Sequence, residues 1–143
     1  MATGLLVAVA VTGCGGTGGE TAPASEVPAA AATTTTTTSA ATDNTALELQ
    51  VRAYSTAFLA GDGDAAYDLL SQRCKERNTR PNFVMLVQQA GTLYGPQEIR
   101  SLKVDQAAGD LARVTYTYDS AELDQRGEPW VRESGVWRID DCG

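Results

Sequence analysis

The chain has 143 residues, which is enough for about one domain, and its formal net charge at pH 7 is −7. All 11 Lys and Arg residues lie between Arg52 and Arg138, where acidic residues outnumber them. This charge balance argues against nucleic acid as a partner and against a polybasic membrane-binding surface.

An apolar run from Leu5 to Val11 leads into Thr12, Gly13 and Cys14. The run is shorter than the about 20 residues that a membrane-spanning helix needs, but it fits the apolar region of a secretory signal. Val11-Thr12-Gly13-Cys14 resembles the bacterial lipobox, in which the chain is cut before the Cys and its thiol receives a palmitate-type diacylglyceryl anchor. The resemblance implies a lipoprotein signal peptide over residues 1–13, a lipid on Cys14 and a secreted domain held on the outer face of the cell membrane.

An ordinary secretory signal is the alternative interpretation of this region. Residues 1–4 carry no Lys or Arg, although the start of a signal peptide is usually basic, and Ala22-Pro23-Ala24 has the small-residue pattern of a cleavage site. That pattern lies far beyond the apolar run, whereas Gly15 and Gly16 directly after Cys14 are typical of lipoproteins. The lipobox is therefore the favoured interpretation.

Residues 14–43 are rich in Gly, Ala, Thr and Pro and include six consecutive threonines. Such a segment buries too little apolar surface to offset the entropy of ordering, so a disordered linker is predicted. It is either a bare spacer or an O-glycosylated stalk. The folded domain is expected to cover residues 44–143.

Three helices are predicted in the first half of this domain. Thr45 and Glu48 have the spacing of a capping box, which predicts a helix that begins at Thr45. Asp62 is the predicted N-cap of a second helix, Pro81 lies in the first turn of a third, and residues 73–80 between them are predicted to form a loop. Helical spacing predicts the inward-facing residues to be Leu47, Val51, Tyr54 and Phe58, then Ala66, Leu69, Leu70 and Cys74, then Phe83, Leu86, Val87 and Ala90.

From residue 97 onward, hydrophobic residues recur at every second position, as in a strand, and no longer at helical spacing. Alternation predicts strands at residues 102–105, 112–118, 130–132 and 136–140, with 112–118 the clearest. Helices that precede an antiparallel meander indicate an α+β fold with three helices and a curved sheet of about four strands.

The remaining two cysteines, Cys74 and Cys142, form an even pair in a chain that is expected to be exported. A disulfide between them is predicted, because disulfides persist outside the cytoplasm. The chain has no His and no CxxC, which argues against structural zinc and against a Cys/His nucleophile.

The order of elements is similar to the nuclear-transport-factor-2-like superfamily, in which a curved sheet wraps around a long first helix to form a cone. The local sequence resembles a group of small actinobacterial secreted lipoproteins that carry this domain. The segments that carry the resemblance are residues 60–67, 69–74, 94–95 and 135–142. The resemblance implies that the Cys74–Cys142 bridge pins the second helix to the last strand.

The cone of this superfamily often holds a pocket, and aromatic walls suit a small apolar ligand. Some members are isomerases or cyclases with a carboxylate or His inside the cone, but the acids considered in this chain occupy helix caps, loops or strand ends. We therefore expect no catalytic residue, metal or cofactor, and a non-catalytic binding or accessory module for a small apolar or lipid ligand or an envelope protein. The alternatives are a structural surface lipoprotein with a filled core and an isomerase- or cyclase-like enzyme. The candidate pocket residues are Tyr54, Phe58, Tyr67, Tyr94, Tyr116, Tyr118 and Trp130.

Overall fold

The structure is a computed structural model that describes the backbone of residues 35–143 and the side chains of residues 43–143. The predicted signal peptide at residues 1–13, the lipidation site Cys14 and the linker up to residue 34 lie outside the described residues. No described helix is both long enough and apolar enough to cross a membrane.

Four helices precede a four-stranded antiparallel sheet, so the described chain has an α+β fold. The sheet is a meander in which each strand pairs with the next one along the chain. Helix α1 packs against α2, α4, β1 and β4. The elements are α1 (Thr35–Leu59), α2 (Gly63–Asp68), α3 (Gln72–Arg77), α4 (Arg80–Tyr94), β1 (Ser101–Ala108), β2 (Leu111–Thr117), a 3₁₀ turn (Ala121–Leu123), β3 (Gln125–Glu133) and β4 (Val136–Ile139).

Helix α1 is longer than predicted. It begins at Thr35, so Thr45 and Glu48 lie inside the helix and the predicted capping box there is wrong. The end of the predicted linker is helical, and Asp43 pairs with Arg132 of β3 at 2.8 Å. The amides near Thr45 are bonded within the preceding helical turns, so they need no side-chain cap.

The inward face of α1 agrees with the predicted stripe at its centre. Leu47 and Val51 are fully buried, and Tyr54 and Phe58 are half-buried. The core beneath this face combines helix and sheet residues, and its buried members are Leu47, Val51, Leu70, Cys74, Ile99, Ala112, Val114, Tyr116, Trp130, Trp137 and Ile139.

The segment after α1 contains two short helices instead of one helix and a loop. Asp62 caps α2 as predicted, because its side chain accepts a hydrogen bond from the Ala65 amide. Ser71 caps α3 in the same way, accepting from the Cys74 amide, so the predicted loop at residues 73–80 is wrong over its first half. Ser71 at an N-cap is the sequence signal for this helix.

Helix α4 has Pro81 in its first turn and ends at Tyr94, and Gly95, with a φ of 69°, caps it. Leu86 was predicted to be buried, but it is 52% exposed, because it lies at the rim of a cleft. Gly91 lies against the loop after α1: a Cβ there would come within 2.6 Å of the Gly61 Cα. Helix α4 comes this close to the loop after α1 because Gly91 has no side chain.

A disulfide joins Cys74 of α3 to Cys142 beyond β4, with an S–S distance of 2.05 Å and a Cα–Cα distance of 4.9 Å. The same corner is held by backbone hydrogen bonds between Ser71 and Ile139 and between Ile139 and Leu69. The end of the last strand is therefore tied both covalently and by hydrogen bonds to the α2–α3 corner.

Candidate functional site

A cleft of about 380 Å³ lies between the helices and the sheet. Helix α1 contributes Tyr54, Ser55 and Phe58, and α4 contributes Phe83 and Leu86. These side chains reach the same space because α1 packs both against α4 and against the sheet. They form a predominantly apolar and aromatic wall, which is the usual lining of a small-molecule site.

Strand β2 supplies the opposite wall. Ala112, Val114 and Tyr116 are buried on one face because side chains alternate along a strand, which confirms the predicted alternation within β2; Tyr118 directly follows the strand. The rings of Tyr116 and Tyr118 meet edge to face with centroids 5.8 Å apart. The Tyr118 hydroxyl lies 2.6 Å from the Ser55 hydroxyl, so this hydrogen bond joins α1 to the sheet across the cleft.

Glu128 is the carboxylate at the base of the cleft. Its exposed fraction is 7%, and its Oε2 accepts hydrogen bonds from the Tyr116 hydroxyl at 2.8 Å and the Trp130 Nε1 at 3.0 Å. Burial raises the pKa of Glu128 to about 7, and these two hydrogen bonds oppose that rise. Because both donors meet Oε2, no described residue donates a hydrogen bond to Oε1.

A β-bulge brings Glu128 and Gln125 to the same face of β3. Val114 pairs with Glu128, but Tyr116 pairs with Gln125, so β3 contains one extra residue over this interval. Gly127 takes a φ of 61° there, a conformation that favours glycine. The bulge therefore lets two polar side chains three positions apart both face the cleft.

The bulge is fixed by side chains of β2. The Gly127 amide donates to the Thr115 hydroxyl at 3.0 Å, and the Gly127 carbonyl accepts from Arg113 at 3.0 Å. Its polar backbone groups are thus satisfied outside the sheet ladder, as an ordered bulge requires.

The tyrosines of the cleft remain neutral over the physiological range. Burial raises the pKa of Tyr54, of Tyr116 and of Tyr118, and the negative charge of Glu128 acts in the same direction on all three. Their hydroxyls therefore keep their protons and can donate hydrogen bonds, as Tyr116 does to Glu128.

Of the seven candidate pocket residues, the cleft brings together Tyr54, Phe58, Tyr116 and Tyr118. The other three lie elsewhere. Tyr67 packs on Phe83, and its hydroxyl donates to the Asn78 carbonyl at 3.1 Å. Tyr94 is 37% exposed at the end of α4.

Trp130 supports the site from behind. It is 1% exposed and does not line the cleft, but its Nε1 donates to Glu128 and its ring meets Tyr54 edge to face. Glu128 was absent from the sequence-based candidates. Counting back two positions from the inward-facing Trp130 would have placed it on the same face.

One group of potential metal ligands occurs among the described residues, namely Cys74, Asp140 and Cys142. The two sulfurs are bonded to each other, so neither is available as a thiolate ligand. Asp140 instead accepts from Ser71 at 2.6 Å and pairs with Arg73 at 3.0 Å, which accounts for its position structurally.

Comparison of the chain with models of known protein families, with curated proteins and with solved structures finds no match. The resemblance to the nuclear-transport-factor-2-like superfamily and the lipobox resemblance therefore remain expectations.

Proposed function

We propose that this protein is an envelope-anchored lipoprotein with a nuclear-transport-factor-2-like domain that binds a small apolar ligand without transforming it. The single observation that carries the proposal is the aromatic cleft of about 380 Å³ between α1, α4 and the sheet. Apolar walls with a few polar groups are typical of ligand sites, and the volume lies within their usual range of roughly 300–1,000 Å³.

The proposed anchor is the lipid on Cys14. Support comes from the sequence Val11-Thr12-Gly13-Cys14 and from the pairing of the other two cysteines with each other. Intact-mass measurement of protein from the membrane fraction is expected to give a chain that begins at Cys14 and carries lipid, and Cys14→Ser is expected to release the protein. An unlipidated chain that starts at Gly15 or later would contradict this part of the proposal.

Binding in the cleft can be tested with 2-naphthylmethanol, a neutral aromatic probe, by titration calorimetry. Tyr118→Ala removes one wall of the cleft and is expected to weaken binding about tenfold, because stacking and burial against the ring are lost. Tyr94→Ala is the matched control, since Tyr94 lies outside the cleft. Failure of the alcohol to bind, or equal binding by Tyr118→Ala, would contradict the proposed function.

A second candidate function, catalysis of proton transfer in an isomerase- or cyclase-like reaction, is favoured by Glu128. A buried carboxyl with its pKa raised to about 7 has the acidity that suits a general base near neutral pH. The test is exchange of the methyl protons of 2-acetylnaphthalene in deuterated buffer, followed by NMR. Glu128 would take a proton next to the carbonyl and solvent would return a deuteron. Exchange no faster than in buffer, or equal exchange with Glu128→Gln, would contradict this candidate.

A further inference from the structure

The charged groups around the cleft are all acidic. Among the described residues that line it, Glu128 and Asp141 carry carboxylates and none is Lys or Arg. Glu128 lies at the buried base, and Asp141 lies after β4 in an exposed position. An anionic ligand would therefore bring its charge towards two carboxylates with no cation to offset them.

Glu128 presents one of its two carboxylate oxygens, Oε1, as a hydrogen-bond acceptor for a ligand in the cleft. Tyr116 and Trp130 hold Oε2 from the protein side, which fixes the plane of the carboxyl group. Oε1 receives no hydrogen bond from a described residue, and Glu128 belongs to the cleft lining. A ligand in the cleft thus meets an acceptor that still lacks a donor from the described residues. A hydrogen bond from a cationic donor to a carboxylate is stronger than one between two neutral groups.

We infer that the ligand of this cleft is an aromatic or otherwise apolar molecule with a protonated amine, and that the amine binds Oε1 of Glu128. The inference rests on the proposed function and deepens it by naming the ligand class. The apolar part of the ligand lies against the rings of Tyr54, Phe58 and Tyr118. Aromatic faces also attract a cation, so the walls and the carboxylate favour the same ligand.

Binding of a cation here is linked to the titration of Glu128. The other titratable groups that face it are Tyr54 from α1, Tyr116 from β2, Tyr118 directly after β2, and Asp141 after β4. The three tyrosines stay neutral because their pKa values are raised. With a pKa of about 7, the Glu128 carboxyl is largely protonated at pH 6 and largely ionised at pH 8. An alkylamine that stays protonated over this range is expected to bind about tenfold more tightly at pH 8, because the competent fraction of the protein rises about tenfold.

The test compares three probes with the same ring system: 2-naphthylmethylamine, 2-naphthylmethanol and 2-naphthoate. Calorimetry at pH 8 is expected to give an affinity for the amine at least about tenfold higher than for the alcohol, with the carboxylate the weakest. In Glu128→Gln the preference for the amine over the alcohol should disappear. Glu122→Gln is the matched control, because it removes one exposed carboxylate outside the cleft lining.

The outcomes separate the two proposals. If the alcohol binds in the cleft and the amine binds no more tightly, or if the carboxylate binds best, the inference is wrong and the proposed function stands. If the alcohol does not bind, the proposed function is wrong. Should Glu128→Gln fail to fold, the wild-type affinity for the amine at pH 6 and pH 8 decides: equal affinities would overturn the inference.

Discussion

Replacing Glu128 by Gln should change how the stability of the domain depends on pH. The carboxyl is 7% exposed, and its only described hydrogen-bond donors are Tyr116 and Trp130. No Lys or Arg among the described residues compensates its charge, so ionisation of Glu128 in the folded state is unfavourable. Gln has nearly the same shape and cannot ionise, which makes it a direct probe of this effect.

The sign and size of the effect follow from the two pKa values. The pKa of Glu128 rises from its ordinary value of 4.5 to about 7 in the folded protein. Between these pH values the folded state binds more protons than the unfolded state, so the free energy of unfolding falls as pH rises. At about 1.4 kcal/mol per pKa unit, the wild type loses about 3 kcal/mol across this window, and the loss is complete above about pH 7.

Urea denaturation of both proteins from about pH 4 to pH 8 measures this loss. The difference in unfolding free energy between Glu128→Gln and wild type should shift by about 3 kcal/mol in favour of the variant, with the change confined to the window between 4.5 and about 7. Other titrating groups are shared and cancel in the difference. Glu122→Gln controls for the loss of one carboxylate. Parallel pH profiles for Glu128→Gln and wild type would refute the assignment of a buried, uncompensated carboxyl.

Two further perturbations test the fold around the cleft. Cys142→Ser should lower the unfolding free energy by about 2–5 kcal/mol, because the disulfide closes a long loop with a sequence separation of 68. An unchanged denaturation midpoint would mean that the disulfide contributes nothing to stability. Gly91→Ala should lower the unfolding free energy by roughly 1–3 kcal/mol, because its Cβ would lie 2.6 Å from the Gly61 Cα. The exposed control Gln89→Ala on the same helix should be near neutral. A thermal scan in which Gly91→Ala is the more stable variant would contradict the close approach of α4 to the loop after α1.

The sequence predicts the regular parts of the fold well because those parts follow hydrophobic period. Leu47 and Val51 are fully buried on α1, and Val114 and Tyr116 are buried on β2, as the spacings of 3.6 and 2 require. These patterns show which face of each helix or strand is buried, and they can be recognised in a single sequence. The order of helices and strands follows from the same signal.

Boundaries were less predictable because local rules compete with the rest of the chain. The Thr45/Glu48 spacing matches a capping box, yet the helix continues upstream to Thr35 through a run of threonines. Threonine has a low helix propensity, so nothing in that run indicates a helix. Ser71, by contrast, is a cap in the structure, although the predicted second helix ran through it from Leu70 to Cys74.

The carboxylate of the cleft escaped the sequence analysis for a specific physical reason. Acidic residues are almost never fully buried unless they are paired, so Glu128 beside Pro129 is easily placed outside. Its position is instead dictated by Trp130, two residues later, which must face the core. A buried residue thus fixes the direction of its neighbours on the strand regardless of their polarity.

The bulge at Gly127 connects this backbone feature to the chemistry of the cleft. In a regular strand, Gln125 would face away from Glu128, because three positions separate them. The extra residue returns Gln125 to the cleft while Val114 and Glu128 keep their pairing. The hydrogen bonds from Gly127 to Thr115 and from Arg113 to Gly127 hold that geometry from the outer face. The placement of Gln125 in the cleft therefore depends on Arg113 and Thr115, two residues that do not line it.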